Sequence, residues 1–253
     1  SNGACSGNYS IIHAFNTIQR HDVEAMVAGG TEAPLCPRVF EELRHKGLFY
    51  SNNPGLTRAS CPFDIDRKGF VLSEGAGVLV LETLSSAEKR GAEIYGELAG
   101  FGASYCNRSD VNQKTPGFYS KVFCIEQALE AASIEASDVD YISASGISGI
   151  REDIEEAEVI KSVFGENIHK IPVSSTKGSL GFSVGASGPI DAIFSLLALK
   201  NKVLPQTNNL ENIDPECSSL LVLKKPDFKP VNMILSNNFD YAGNNVSILF
   251  KRF

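Results

Sequence analysis

The 253-residue sequence is notable for what it lacks, and each absence narrows its function. No apolar run is long enough to span a bilayer and no secretory signal is visible, so no membrane association is expected. Positive charge is scarce: 23 Lys and Arg stand against 30 Asp and Glu, a net charge of −7 with no basic cluster. That balance argues against general nucleic-acid binding, although an acidic protein could still dock on a local basic patch. The six cysteines (Cys5, Cys36, Cys61, Cys106, Cys124, Cys217) form no CxxC pair and no Cys/His cluster. No metal and no cofactor are therefore expected, and a reduced, cytoplasmic chain is the simplest reading. Most of these thiols read as small packing residues, and His13, His21, His45 and His169 as structural histidines. What remains is ordinary for a globular protein, 43% hydrophobic and 21% charged, and long enough to bury a substantial core.

Periodicity points to layered α/β architecture. Cys5–Gln19 reads as a helix with Ile11, Ile12, Phe15 and Ile18 on one stripe. Ala25–Ala28 reads as a short strand closed by a Gly29-Gly30 turn, and Val78–Leu81 as a buried strand within Gly69–Glu82. A helix is expected over Ser85–Arg90, a strand over Ile94–Ala103 and a helix over Ser120–Ser133. Past Asp138 the pattern reads strand (Tyr141–Ala144), helix (Glu152–Phe164), strand (Ile171–Ser174) and a largely apolar helix (Ser183–Lys200). Strands at Leu220–Leu223, Val231–Ser236 and Asn245–Phe250 complete the series.

Six short motifs occur in a fixed order. They are Gly-Ala-Cys-Ser-Gly at Gly3–Gly7, Ala-Gly-Gly-Thr-Glu at Ala28–Glu32, and Pro-Phe-Asp-Ile-Asp-Arg-Lys-Gly-Phe at Pro62–Phe70. Ser-Glu-Gly-Ala-Gly at Ser73–Gly77, Ser-Ser-Thr-Lys-Gly at Ser174–Gly178 and Leu-Ser-Asn-Asn-Phe at Leu235–Phe239 follow. Together they resemble the β-ketoacyl-acyl-carrier-protein synthases, the condensing enzymes of fatty acid and polyketide synthesis. The resemblance begins almost at the nucleophile and covers roughly the C-terminal three-fifths of the family. It implies the α/β thiolase-like layered fold (αβαβα), incomplete at the N-terminal half. Residues 1–107 would be the remainder of the first half and 108–253 the second. An incomplete half exposes strand edges and an apolar face. A homodimer, a heterodimer with a synthase-like chain, or a longer parent of which this chain is a fragment is therefore expected.

By resemblance, Cys5 is the nucleophile, taking an acyl group from acyl carrier protein or acyl-CoA. A cysteine at a helix start is expected to have a lowered pKa, and Gly3, Ala4, Ser6 and Gly7 to leave room for the thioester. The backbone N–H groups of Cys5 and Tyr241 would hold the oxyanion. The family polarises the malonyl thioester with two histidines. Here the Asn-Ala-His-Gly-Thr motif reads Ser143-Ala144-Ser145-Gly146-Ile147, and the Gly-His motif reads Gly181-Phe182. Ser145 and Phe182 thus stand where the histidines would be, and losing one such donor typically costs about 10²–10³ in rate. The gating Gly-Phe-Gly-Gly turn reads Asp240-Tyr241-Ala242-Gly243, a less permissive backbone. Lys177 and Glu156 match the family's supporting lysine and the glutamate it pairs with; in the family the pair helps organise the histidine region, and without histidines its survival favours a scaffold role. Asp64–Arg67 and Gly29–Glu32 read as supports beneath the site, and Ser73–Gly77 lacks the ending of a phosphate loop. Three readings stay open: an acyltransferase with impaired decarboxylative condensation, a non-catalytic partner subunit like the chain-length factors, or an inactive paralogue.

Overall fold

A computed structural model describes residues 2–45, 58–107 and 116–253. Its strands are β1 (Ala25–Glu32), β2 (Gly75–Glu82), β3 (Glu97–Tyr105), β4 (Tyr141–Ser143), β5 (Pro172–Ser174), β6 (Leu221–Val222), β7 (Met233–Phe239) and β8 (Asn244–Lys251). Its helices are α1 (Ser6–Gln19), α2 (Pro37–His45), α3 (Leu84–Lys89), α4 (Pro116–Ala132), α5 (Ile150–Phe164), α6 (Lys177–Leu180) and α7 (Ser187–Asn201).

The strands form two sheets of unequal size. One is the antiparallel pair β1-β2; the other has six strands in the order β3-β8-β7-β4-β5-β6. In the large sheet β4 runs parallel to β5 and β7, while β8 runs antiparallel to β7 and β3. Side chains alternate across a strand, and the burial follows that period. Ile142, Leu235 and Leu249 enter one core with α4 and α5, whereas Tyr141, Ile234, Ile248 and Phe250 enter another with α1 and α7. Helices α1 and α7 lie between the two sheets, packing on β1 and β2 on one side and, through α7, on β7 and β8 on the other.

Two expectations need correction. Gly29 and Gly30 do not close a turn; they continue β1, paired with Val78 and Gly77. They are small because this strand lies against α1: a Cβ on Gly30 would sit 2.6 Å from the Gly185 carbonyl and 3.1 Å from the Gly7 Cα. The Val78–Leu81 run is buried on one face only. Leu79 and Leu81 pack toward α1 and α7, but Val78 and Val80 are 58% and 64% exposed, as is Val27, the cross-strand partner of Val80, at 69%. The strand β3, which a division at residue 107 would group with the first half, hydrogen-bonds to β8 as the edge of the large sheet. The sheet boundary therefore falls between β2 and β3. The proposed boundary itself adjoins 108–115, which lie outside the described residues.

Candidate active site

Cys5 ends a 3₁₀ turn (Gly3–Cys5) and caps α1. Its thiol is fully buried and donates toward the carbonyls of Asn238 (3.2 Å) and Asn244 (3.3 Å), which flank the turn joining β7 to β8. Asn238 reaches back, its Nδ2 donating to the Ala4 carbonyl (3.0 Å) and to Asn8 Oδ1 (3.3 Å). The β7–β8 turn is thereby clamped over the start of α1.

This environment reverses the expected thiol chemistry. Burial pushes the Cys5 pKa well above the usual thiol value, and the neighbouring Asp240 carboxylate adds to the rise. Desolvation of an anion outweighs the helix dipole here. The small neighbours also serve packing rather than room for a ligand: a Cβ on Gly3, whose φ is +57°, would lie 2.1 Å from Asp240 Oδ2. A Cβ on Gly7 would lie 2.3 Å from the Pro189 ring. The Cys5 N–H, expected as an oxyanion donor, is directed instead at the Asn2 carbonyl (3.2 Å). Tyr241, the other expected donor, lies in the β7–β8 turn, where Gly243 N–H donates to the Asp240 carbonyl (3.0 Å).

Ser145 and Phe182, the two positions at which the resemblance implies histidines, both have other contacts. The Ser145 hydroxyl accepts from Phe239 N–H (3.2 Å) and donates to the Phe239 carbonyl (3.4 Å), pinning the end of β7. Phe182 is fully buried in an apolar cluster with Ala4, Leu43, Phe70, Leu72 and Ile147, against which Tyr241 packs. The Phe182 and Phe70 rings meet edge to face at 5.0 Å, and Phe70 stacks on Tyr241 at 6.3 Å. The cavity lined by Ser145, Ile147, Glu156, Phe239 and Asp240 is about 10 Å³, room for about one water molecule.

Lys177 and Glu156 are both buried but do not pair with each other. The Lys177 ammonium bonds to Asp191, whose other oxygen accepts from Thr176 Oγ1 (2.6 Å). Glu156 accepts from the backbone N–H groups of Ser145 (2.8 Å) and Gly146 (2.7 Å), strapping down the segment that follows β4. Burial raises the Glu156 pKa against these bonds and the charges of Lys121 and Lys177. Arg67 performs the expected support: its guanidinium donates to the carbonyls of Gly149 (3.0 Å), Ile150 (2.7 Å) and Asp64 (2.8 Å), fixing the start of α5. All four histidines are exposed, and none lies at a position named for this site. Among the described residues no cluster of His, Cys, Asp and Glu could hold a metal, and no helix is long and apolar enough to cross a membrane.

Sequence reasoning missed Asp191, Lys121 and the position of Asp240. Asp191 carried a signal, as the one acid in α7, whose other charged residue is Lys200 near its end. Lys121 carried none: its burial beside Glu155 (2.8 Å) and over the Phe239 ring depends on how α4 and α5 meet.

Comparison with known proteins places this geometry. Residues 1–87 match the family model described as Beta-ketoacyl synthase, N-terminal domain, and residues 95–211 match Beta-ketoacyl synthase, C-terminal domain. The chain is 39% identical to a 3-oxoacyl-[acyl-carrier-protein] synthase 2 of Rhizobium meliloti and 38% identical to one of Synechocystis sp.. Those alignments cover 99% of the chain but only 59% and 60% of the relatives. Among solved structures, one is of a type II PKS acyl-carrier protein in complex with its ketosynthase. It matches with a TM-score of 0.93 at 32% identity, over 99% of this chain and 62% of that one. The ishigamide ketosynthase/chain length factor matches with a TM-score of 0.88 at 32% identity, over 100% and 60%.

Proposed function

Because the chain belongs to the β-ketoacyl synthase family and has its thiolase-like fold, we propose that it accepts acyl groups from acyl thioesters on Cys5 without carrying out decarboxylative condensation. In the loading step, Cys5 sulfur bonds to the thioester carbonyl carbon and the bond from that carbon to the carrier sulfur breaks. The thiol proton leaves with the departing carrier thiol. Cys5 is closed off at rest, so loading needs the β7–β8 turn to open at Tyr241 and Ala242.

The observation that carries the loss of condensation is Phe182 in its apolar cluster. Malonyl decarboxylation needs donors for the developing enolate oxygen. A phenyl ring donates none, and the Ser145 hydroxyl is committed to Phe239. The carrier fits an acyl carrier protein or coenzyme A, in keeping with the ketosynthase–carrier complex among the similar structures. Incubating the folded chain with an acyl-carrier thioester and recording intact mass tests the loading step. An acyl adduct absent from Cys5→Ala supports it; a folded chain that gains no mass refutes it.

A second reading has its own observation. A groove of about 840 Å³ runs between α1, β2, α7 and the start of β3, floored by Ile11, Phe15, Leu79, Leu196 and Phe250. With Val27, Val78 and Val80 exposed on the other face of the small sheet, two apolar surfaces stand uncovered. This favours association with a synthase-like chain, as homodimer or heterodimer, in a non-catalytic role like that of a chain-length factor. Dependence of a companion synthase on this chain for product length distinguishes that role from acyl transfer.

A further inference from the structure

We propose that the Asp240 side chain is an autoinhibitory latch: it fastens the tip of the β7–β8 turn to the turn that carries Cys5, and Gly3 is the seat it closes on. As a control on acyl loading this rests on the reading above; as a lock on the thiol it is tested without any thioester.

The tip, residues 240–243, is held together as one piece. Gly243 N–H donates to the Asp240 carbonyl (3.0 Å), Asp240 N–H to the Asn244 carbonyl (2.8 Å) and Ala242 N–H to Asp240 Oδ1 (3.2 Å). The other carboxylate oxygen reaches the Cys5 turn: Oδ2 accepts from Ala4 N–H (3.2 Å), joining segments 236 positions apart in the chain. Asp240 is 1% exposed, and Ala4 and Cys5 are fully buried. A hydrogen bond to an ionised acceptor is stronger than one between neutral groups. Pulling this one apart where water is excluded leaves an amide and a carboxylate unpaired.

Gly3 is shaped to the closed latch. Its φ is +57°, and a Cβ there would lie 2.1 Å from Asp240 Oδ2 and 3.2 Å from the carboxyl carbon. A side chain at residue 3 and the seated carboxylate cannot share that space. The flanks of the tip are anchored separately. Asn238 Nδ2 donates to the Ala4 carbonyl (3.0 Å), and Phe239 N–H donates to Ser145 Oγ (3.2 Å). The part left to lift begins at Asp240. Beneath it the Cys5 thiol meets only the Asn238 and Asn244 carbonyls, and a thiol is too weak a donor to hold the turn down.

The test is the rate at which N-ethylmaleimide modifies each thiol, read by peptide mass mapping on wild type, Asp240→Gly, Gly3→Ala and the double variant. Cys217, as fully buried as Cys5, reports loss of the whole fold. Gly3→Ala keeps the carboxylate, so it separates displacement of the latch from the direct influence of that charge on the Cys5 pKa. Each single substitution is expected to speed Cys5 modification at least about tenfold while Cys217 stays unchanged. Because both act through one contact, the double variant should label no faster than Asp240→Gly. Unchanged Cys5 rates, a rise confined to Asp240→Gly, or effects that multiply in the double variant would each overturn the latch. So would a rise at Cys5 that is matched at Cys217. Variants whose Cys5 labels faster yet takes no butyryl group from butyryl-coenzyme A would keep the latch and remove the acyl-loading reading.

Discussion

The ring of Phe182 meets the ring of Phe70 edge to face, centroids 5.0 Å apart at 62°, at a position where the sequence resemblance leads one to expect an imidazole. The replacement is part of a packed cluster, and its consequences are structural as well as chemical. Restoring a histidine alone buries a polar ring among Leu72, Ile147 and Phe70. Phe182→His is expected to lose about 1–3 kcal/mol of stability without yielding malonyl decarboxylation, and Phe182→Ala about 3–5 kcal/mol. Chemical denaturation paired with a CO₂-release assay measures both; decarboxylation by the single histidine variant would contradict the account.

Lys177 and Asp191 form a buried pair, with side chains 3% and 1% exposed. Removing one partner strands the other charge. Lys177→Met or Asp191→Leu is expected to cost about 3–5 kcal/mol, whereas the double substitution recovers much of the loss. A double-mutant cycle by urea denaturation reads the coupling. Substitution of Glu156 should not couple to Lys177 to the same degree, since its oxygens hold the Ser145 and Gly146 amides.

Stability should fall as pH rises toward the alkaline side of neutrality. Burial pushes the Asp153 carboxyl up to about 7 even with Arg67 nearby, and Glu156 is raised as well. A raised acid holds an extra proton in the folded state between its unfolded value, 3.8 for Asp, and its folded value. The stabilisation is therefore full below the unfolded pKa and disappears as pH passes through about 7. Melting temperature should be higher near about pH 5.5 than near about pH 8, and Asp153→Asn should flatten the difference. A wild-type melting temperature that climbs across this interval, with no change in slope in Asp153→Asn, would contradict it.

Thiol labelling should be ordered by burial. Cys36 is exposed, whereas Cys5 is fully buried with a raised pKa. Iodoacetamide at neutral pH should mark Cys36 long before Cys5, as read by peptide mass mapping. Rapid modification of Cys5 at neutral pH would show an open, thiolate-bearing site in place of the closed one.

The exposed face of the small sheet should tolerate charge in an isolated chain. Val80→Lys is expected to change stability by no more than about 0.5 kcal/mol if that face meets only water, and to abolish association if a second chain covers it. Light scattering on wild type and variant distinguishes the two.

Much of the fold was legible because its signals are local. The helical stripe of Ile11, Ile12 and Ile18 and the apolar runs of β7 and β8 appear as elements close to where periodicity places them. What was misread depends on contacts distant in sequence. Gly29-Gly30 has the composition of a turn, but only the approach of Gly7 and Gly185 explains why those positions are small. The start of α1 suggested an activated thiol, but burial raises its pKa, with Asp240 adding to the rise, and the carbonyls it meets, of Asn238 and Asn244, lie more than 200 positions away. Lys177 was assigned to Glu156 because both matched the family pattern; the closer acid is Asp191, fourteen residues along the chain.

The most direct test is a time course of intact mass with butyryl thioester followed by malonyl thioester, with CO₂ release recorded in parallel. The account predicts a butyryl adduct that requires Cys5 and persists after malonyl thioester is added, with no CO₂ above background. Discharge of that adduct with CO₂ release, or the absence of any adduct on folded protein, would contradict it.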